Sequence, residues 1–123
     1  MKLRAIVFMF MCGALVATAE QPAWAEDPAA KKQLLDTRRC KGCDLSNADL
    51  HGAILELAQV QNAILDHANL YRANLKGADM TGARLGGTDL SGANLQYAKG
   101  AALGGAITNE RTVCPNGKNG PCQ

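Results

Sequence analysis

The feature that most constrains this chain is a five-residue repeat that runs without interruption from Cys43 to Tyr97. Its eleven units have the general form Ala-(Asp/Asn)-Leu-x-x, and the central position of every unit is aliphatic. The central residues are Leu45, Leu50, Leu55, Val60, Leu65, Leu70, Leu75, Met80, Leu85, Leu90 and Leu95. Ala stands two positions earlier in all units except those that begin with Cys43 and Thr88. Each unit therefore offers one large and one small apolar side chain at a fixed spacing.

A period of five fits neither an ordinary helix nor a flat strand. On an α-helix each step of five residues advances about 140° around the axis, so the leucines would point in all directions. In a strand an odd spacing sends successive leucines to opposite faces. The leucines can all point inward only if the chain turns a corner every five residues.

The repeat resembles the pentapeptide-repeat family over Cys43 to Lys99. This resemblance implies an all-β fold, a right-handed quadrilateral β-helix in which four units make one square coil of about twenty residues. It stacks Leu45, Leu65 and Leu85 in one column and sets Glu56 beside Lys76. About three coils are expected, each roughly 4.8 Å high.

The polar residue before each central position is predicted to hydrogen-bond nearby backbone at a turn. These residues are Asp44, Asp49, Asn69, Asn74, Asp79, Asp89 and Asn94. A catalytic or metal-binding carboxylate row is the alternative, which the interrupting asparagines disfavour. Ile54 and Ile64 replace the polar residue in their units and leave apolar groups facing outward.

Residues 1–25 have the parts of a secretory signal peptide. Lys2 and Arg4 precede an apolar run, and Ala23-Trp24-Ala25 forms an A-x-A cleavage site before Glu26. A second A-x-A site ends at Ala19, and a retained N-terminal anchor is the other alternative. The pattern predicts a periplasmic or secreted protein, or a thylakoid-lumen protein if the source is cyanobacterial, with no membrane span after cleavage.

The remaining chain divides into three parts: residues 26–42 as an N-terminal cap helix and cysteine loop, 43–108 as the solenoid, and 109–123 as a looped tail. Asp27-Pro28 is typical of a helix start, which makes α-helix the expected fold of this N-terminal cap. Leu34 and Leu35 are expected to lie on the first coil, because a solenoid end requires cover.

Four cysteines follow the predicted cleavage site, two near each end of the repeat: Cys40, Cys43, Cys114 and Cys122. An even number in a small exported protein indicates disulfides. Three pairings are possible, and Cys40–Cys43 with Cys114–Cys122 is favoured because the solenoid separates the two pairs. A thiol-redox role for Cys40 and Cys43 and a four-cysteine zinc site are the less favoured alternatives.

Charge bears on the class of partner. Beyond Ala25 the chain has eleven Lys and Arg against ten Asp and Glu, so no basic field for nucleic acid is present. DNA-mimicking members of the family that modulate topoisomerases are similar in fold but acidic, which disfavours that function here.

A non-catalytic interaction or structural scaffold is therefore predicted, without metal or cofactor, for an unknown protein or envelope component. The candidate binding face is the third side of the square: Ile54, Glu56, Leu57, Lys76, Gln96 and Tyr97. The alternative is the edge row His51, Tyr71 and Ser91. Catalysis is not expected, since His51 and His67 fall on different sides. A homodimer through an uncovered solenoid end is a further expectation.

Overall fold

A computed structural model describes residues 26–123. The predicted signal peptide, residues 1–25, lies outside the described residues. The described part contains one α-helix, α1 (Pro28–Thr37), and one short 3₁₀ turn, Leu103–Gly105. The rest of it winds into coils joined by isolated β-bridges rather than by long strands.

Parallel bridges stack the coils one above another. Within residues 26–123, nine of these bridges join residues twenty positions apart. They are Arg39–Gln59, Asp44–Ile64, Asp49–Asn69, Ile54–Asn74, Gln59–Asp79, Ile64–Arg84, Asn69–Asp89, Asn74–Asn94 and Asp79–Lys99. A new bridge begins every five residues, so one coil has four sides. The predicted stacking at twenty residues is confirmed.

The central residue of each unit points into the coil and is at most 3% exposed. We number the four sides by the columns of these residues. The first side has Leu45, Leu65 and Leu85; the second Leu50, Leu70 and Leu90; the third Leu55, Leu75 and Leu95; the fourth Cys40, Val60 and Met80. The preceding small residues are also buried at most positions, so the interior contains mainly Leu and Ala.

Each corner is a tight turn whose third residue has a left-handed backbone. The turn from Leu45 is closed by a hydrogen bond from Ala48 N to Leu45 O of 3.1 Å, and the pattern repeats in the other units. The third residues have φ between 56° and 70°. They are Asn47, Gly52, Leu57, Asn62, His67, Arg72, Gly77, Gly82, Gly87, Gly92 and Tyr97. Positive φ at this position is the signature of a type II turn, which favours Gly or Asn.

The coils extend past both ends of the regular repeat. Arg39 already bridges to Gln59, and Cys40 occupies an inward position with no exposed surface. Above the regular repeat, Asp89 bridges to Ile107 and Asn94 to Val113. Three sides therefore have four levels where about three coils were expected, and part of the predicted tail lies on the third side.

Helix α1 begins at the N-cap residue Asp27, whose carboxylate accepts hydrogen bonds from Ala29 N at 3.0 Å and Ala30 N at 3.2 Å. Leu34 is 1% exposed and belongs to the core, but Leu35 is 45% exposed. The expectation that both leucines lie on the first coil is wrong for Leu35, because adjacent helical residues point about 100° apart. We call the end of the solenoid next to α1 the lower end.

Candidate binding surface

The structure brings the six predicted face residues together on the third side and its corner with the fourth side. Ile54 is on the lowest level of the side, and Glu56, Lys76 and Gln96 occupy one position of successive coils. Leu57 and Tyr97 lie on the corner below and above Gly77. The side is about 10 Å wide and the described coils about 14 Å tall, from the spacing of extended residues and of neighbouring strands.

The three most exposed of the large apolar side chains in residues 26–123 lie on this surface. Ile54 is 65% exposed, Leu57 70% and Tyr97 65%. On the second side Ile107 is 54% exposed and Tyr71 39%, and the Tyr71 ring centre lies 5.1 Å from the Arg72 guanidinium carbon. The third side with its corner therefore combines the largest exposures of this kind on neighbouring positions of one surface.

Two of these residues have a strained backbone. Leu57 has φ of 59° and Tyr97 of 62°, in the left-handed region that Gly and Asn occupy at equivalent corners. A left-handed backbone costs roughly 1–2 kcal/mol for a residue with a Cβ and no short polar side chain. This strain was not expected from the sequence, although the recurring Gly and Asn two positions after the central residue are a signal for a left-handed corner.

The Leu57 side chain extends upward over the next coil. A Cβ placed on Gly77 would lie 2.8 Å from Leu57 Cδ2, so the absence of a side chain at Gly77 provides the room. The same relation holds at the other corners, where Asn62, His67 and Arg72 lie over the glycines of the next coil. Leu57 is thus held in place on one side while most of its surface faces solvent.

The polar residues of the third side support the backbone. Asn74 Oδ1 accepts a hydrogen bond from Lys76 N at 3.1 Å, and Asn94 Oδ1 accepts one from Gln96 N at 3.0 Å. Equivalent bonds at Asp44, Asn69, Asp79 and Asp89 confirm the turn-bonding role predicted for this row.

Glu56 and Lys76 stack in the predicted register but form no ion pair within residues 26–123. The expected opposite-charge contact between them is therefore absent there. Their positions leave both charged groups available at the surface, since Glu56 also has no hydrogen bond in the described part of the chain.

The edge row His51, Tyr71 and Ser91 lies on the second side. His51 Nδ1 is 2.7 Å from Asp49 Oδ1, and this side-chain hydrogen bond, with one from His51 N, holds the pKa of Asp49 below its usual value. His67 belongs to a first-side unit and lies on its corner with the second side, where its ring packs against Gly87 of the next coil. Within the described residues, no group of His, Cys, Asp and Glu is arranged to hold a metal ion.

Both cysteine pairs form disulfides near the ends of the coils. Cys40 bonds to Cys43, with Cα atoms 5.3 Å apart, and Cys114 bonds to Cys122, with Cα atoms 5.5 Å apart. Cys40 is fully buried, and its sulfur lies 3.5 Å from Ala30 O of α1. Cys43 is half-buried in the inward position of its unit. Among residues 26–123 no helix is long and apolar enough to cross a membrane.

The repeat segment is similar to known repeats in sequence. Residues 43–82 and 68–99 match the family model described as Pentapeptide repeats, in 8 copies. No curated protein matches this sequence.

Several solved pentapeptide repeat proteins are similar to this chain. HetL, a pentapeptide repeat protein involved in heterocyst differentiation regulation in the cyanobacterium Nostoc sp. strain PCC 7120, is 37% identical over 67% of this chain, with a TM-score of 0.48. The match covers 43% of HetL, so this chain spans less than half of that protein.

Two further structures extend the comparison. A second pentapeptide repeat protein from Nostoc PCC 7120 is 23% identical over 83% of this chain and 93% of its own, with a TM-score of 0.55. A pentapeptide repeat protein from the Arabidopsis thaliana thylakoid lumen is 27% identical over 66% of this chain and 65% of its own, with a TM-score of 0.31. The likeness to the second Nostoc protein implies a right-handed quadrilateral β-helix, which the four bridges per coil fit.

Proposed function

We propose that the chain is a pentapeptide-repeat protein, because residues 43–99 match that family's model, and that it is a non-catalytic scaffold that binds a protein or an envelope component through its third side. Repeat proteins commonly bind through the extended surfaces that stacked units create. The third side with its corner is the surface of this solenoid that carries Ile54, Leu57 and Tyr97.

The observation that carries this proposal is the combination of exposure and strain at Leu57 and Tyr97. Each residue places a large apolar side chain in solvent at a position where Gly or Asn would relieve the backbone. Neither the hydrophobic effect nor the turn favours this choice in the isolated protein. Strain that the fold does not need is a reason to infer function at that position.

The double variant L57N/Y97N tests the proposal. Asn tolerates the left-handed backbone, so we expect the free energy of unfolding to rise by about 1 kcal/mol or more. The wild-type protein is expected to form a complex that can be cross-linked in cells and recovered from the envelope fraction. We expect the same variant to lose this complex. H67N is the matched control, because His67 also has positive φ on an exposed corner but lies diagonally across the square from the corner of Leu57 and Tyr97. A stabilised double variant that retains the complex would show that the apolar pair has no binding role.

Export is a second part of the proposal. The pattern of residues 1–25 and the two disulfides support an oxidising compartment outside the cytoplasm, such as a periplasm or a lumen. The intact mass of the natural protein tests this. A mass that begins at Glu26 and includes both disulfides is expected. An uncleaved mass with free thiols would overturn export and would favour the redox alternative for Cys40 and Cys43.

A further inference from the structure

We propose that the lower edge of the third side binds an extended polypeptide segment, which adds beneath Ile54 as one more strand and places a basic residue near Glu56. This inference rests on the proposed function, because it names the kind of partner that the same side would bind. It is carried by the hydrogen bonds of the lowest coil, by the exposure of Ile54 and by the charge of Glu56.

The direction of the backbone groups follows from the stacking. In each coil, the residue before the central position directs its N–H and C=O downward. Asn74 N donates to Ala53 O at 2.9 Å, and Leu55 N donates to Asn74 O at 2.7 Å. Ile54 occupies the same position one coil lower, so its N–H and C=O point away from the solenoid at the lower end.

Other lower-edge positions are covered by the N-terminal segment. Arg39 N donates to Thr37 Oγ1 at 3.2 Å, and Arg39 O accepts from Gln33 Nε2 at 3.0 Å. On the second side, Asp49 N donates to Glu26 Oε2 at 3.1 Å. The chain thus covers the lower edge at the fourth and second sides with its own side chains.

Ile54 lacks this cover. Neither its N–H nor its C=O forms a hydrogen bond within residues 26–123, and its side chain is 65% exposed. Proteins usually protect an open edge with a charged side chain, and the upper edge at Lys99 has one. The lower edge of the third side has an apolar residue instead, which is the combination that strand-adding partners recognise.

The size of the surface favours an extended segment over a globular partner. One side covers on the order of 140 Å², far below the roughly 800 Å² per partner of a stable protein interface. A strand gains affinity from main-chain hydrogen bonds and needs less side-chain area. A second copy approaching end to end would meet α1, since Leu34 is buried in the core and Ala30 contacts Cys40 at that end.

Neighbouring side chains define the chemistry of the segment. A residue below Ile54 continues an outward-facing column and is expected to be apolar. Glu56 has no ion pair or hydrogen bond in the described part of the chain, and the position above it holds Lys76. A basic residue two positions from the apolar one would lie near the Glu56 carboxylate and pair with it.

A synthetic peptide tests the proposal directly. The probe is the end-blocked heptapeptide Thr-Lys-Ala-Ile-Ala-Lys-Thr, whose symmetric pattern suits either strand direction. Binding to the protein that begins at Glu26 is followed by NMR titration of the Ile54 amide and its neighbours. We expect saturable chemical-shift changes centred on Ile54. The variant I54P, which removes the N–H, should bind the peptide at least tenfold more weakly. The variant I54V, which retains the N–H, should bind it less than threefold more weakly. E56K should reverse the preference, in favour of a peptide with Glu in place of both Lys.

Peptide variants keep the test valid if I54P does not fold. A peptide N-methylated at its Ala and Ile residues cannot complete the strand, and it should bind wild-type protein at least tenfold more weakly. Equal binding of the methylated peptide, equal binding by I54P, or shifts away from Ile54 would overturn the proposal. A dimer in sedimentation equilibrium that I54P dissociates would assign the edge to a second copy and also overturn it. The L57N/Y97N experiment does not involve this edge, so the wider proposed function can fail or succeed separately.

Discussion

Several glycines with a left-handed backbone also leave room for a neighbouring residue, most of them at corners and one, Gly100, just above the regular repeat. Gly52, Gly87 and Gly100 have nearly the same φ, +63°, +65° and +64°, but different surroundings. A Cβ on Gly52 would meet nothing within 4 Å. On Gly87 it would lie 2.6 Å from the His67 ring, and on Gly100 it would lie 2.6 Å from Thr81 Cα. The three positions therefore separate backbone strain from steric contact.

We predict that alanine substitution destabilises these positions in the order Gly52, Gly87, Gly100. G52A should cost about 1–2 kcal/mol from the left-handed backbone alone. G87A should cost somewhat more, because the His67 side chain can move. G100A should add about 1–3 kcal/mol, because Thr81 backbone cannot move without disturbing its coil. Urea unfolding of the three variants measures the order, and equal losses would contradict the steric part of the argument.

Asp79 should make stability depend on pH in the acid range. Hydrogen bonds from Thr81 Oγ1 at 2.6 Å and Thr81 N at 3.1 Å, and one from Gln61 Nε2 at 2.8 Å, lower the pKa of this carboxyl. A lowered pKa contributes stability that is present above the usual value of about 3.9 and is lost as pH falls through the folded pKa. We predict that D79N has a flatter unfolding free energy than wild type between about pH 5 and pH 2. Parallel curves for the two proteins would contradict this.

At the residue scale, the sequence predicts inward and turn-bonding positions well, because both depend on local pattern. The inward direction of the leucines and the role of Asn74 follow from the repeat alone, whereas the leucine columns follow from the resemblance to a family with four units per coil. The strain at Leu57 and Tyr97 does not, because neither is Gly or Asn and the corner conformation is imposed by the stacked coils. The exposure of Leu35 was also missed, since only the position of α1 on the coil decides which leucine is buried.

At the element scale, the two ends of the solenoid are covered in different ways. At the lower end, α1 contributes Leu34 to the core and its neighbours bond to the lower edge. At the upper end, the segment between Cys114 and Cys122 folds back over the third side. Its hydrogen bonds are Cys114 N to Lys118 O at 2.8 Å and Gly120 N to Thr112 O at 2.7 Å.

We predict that the Cys114–Cys122 disulfide stabilises this upper cover rather than the whole solenoid. In the chain-entropy account, opening a loop of this length costs about 2–3 kcal/mol. In the variant C114S/C122S, two backbone amides should exchange faster with solvent: the amide at position 114, which donates to Lys118 O, and the amide of Gly120, which donates to Thr112 O. The amides of Leu65 and Leu70 in the middle coils should keep their protection. Faster exchange throughout the coils would instead show that this disulfide supports the entire solenoid.

The regular coils were predictable from the sequence, but the irregular coil above the repeat was not. The sequence pattern requires an exact spacing of five, but the uppermost level is reached after 18 residues at Ile107 and 19 at Val113. Burial tolerates these shorter paths because Thr112 hydrogen-bonds Leu90 O at 3.0 Å and fills the place of an Ala. The pairing Cys40–Cys43 with Cys114–Cys122 was one of three possible from the sequence, and the distance between the two ends of the solenoid favours it.

For the whole molecule, the solenoid is a short square rod with one side that differs from the others. The interior is formed almost entirely by aliphatic side chains, so the fold itself makes little use of the outward positions. The three most exposed of the large apolar side chains and an open lower edge lie on or beside the third side, and two of those side chains, Leu57 and Tyr97, stand on left-handed corners. The scaffold function therefore depends on a small set of outward residues that the repeat does not dictate.

Leu57, Asn62, His67 and Arg72 provide the most direct test, because they place one exposed residue on each corner of a single coil. The measurement is the yield of cross-linked complex in cells when a photo-reactive amino acid replaces each of them in turn. We predict the highest yield at position 57 and the lowest at position 67, which lies diagonally across the square. Equal yields at the four corners, or a maximum at position 67, would contradict the assignment of the third side as the binding surface.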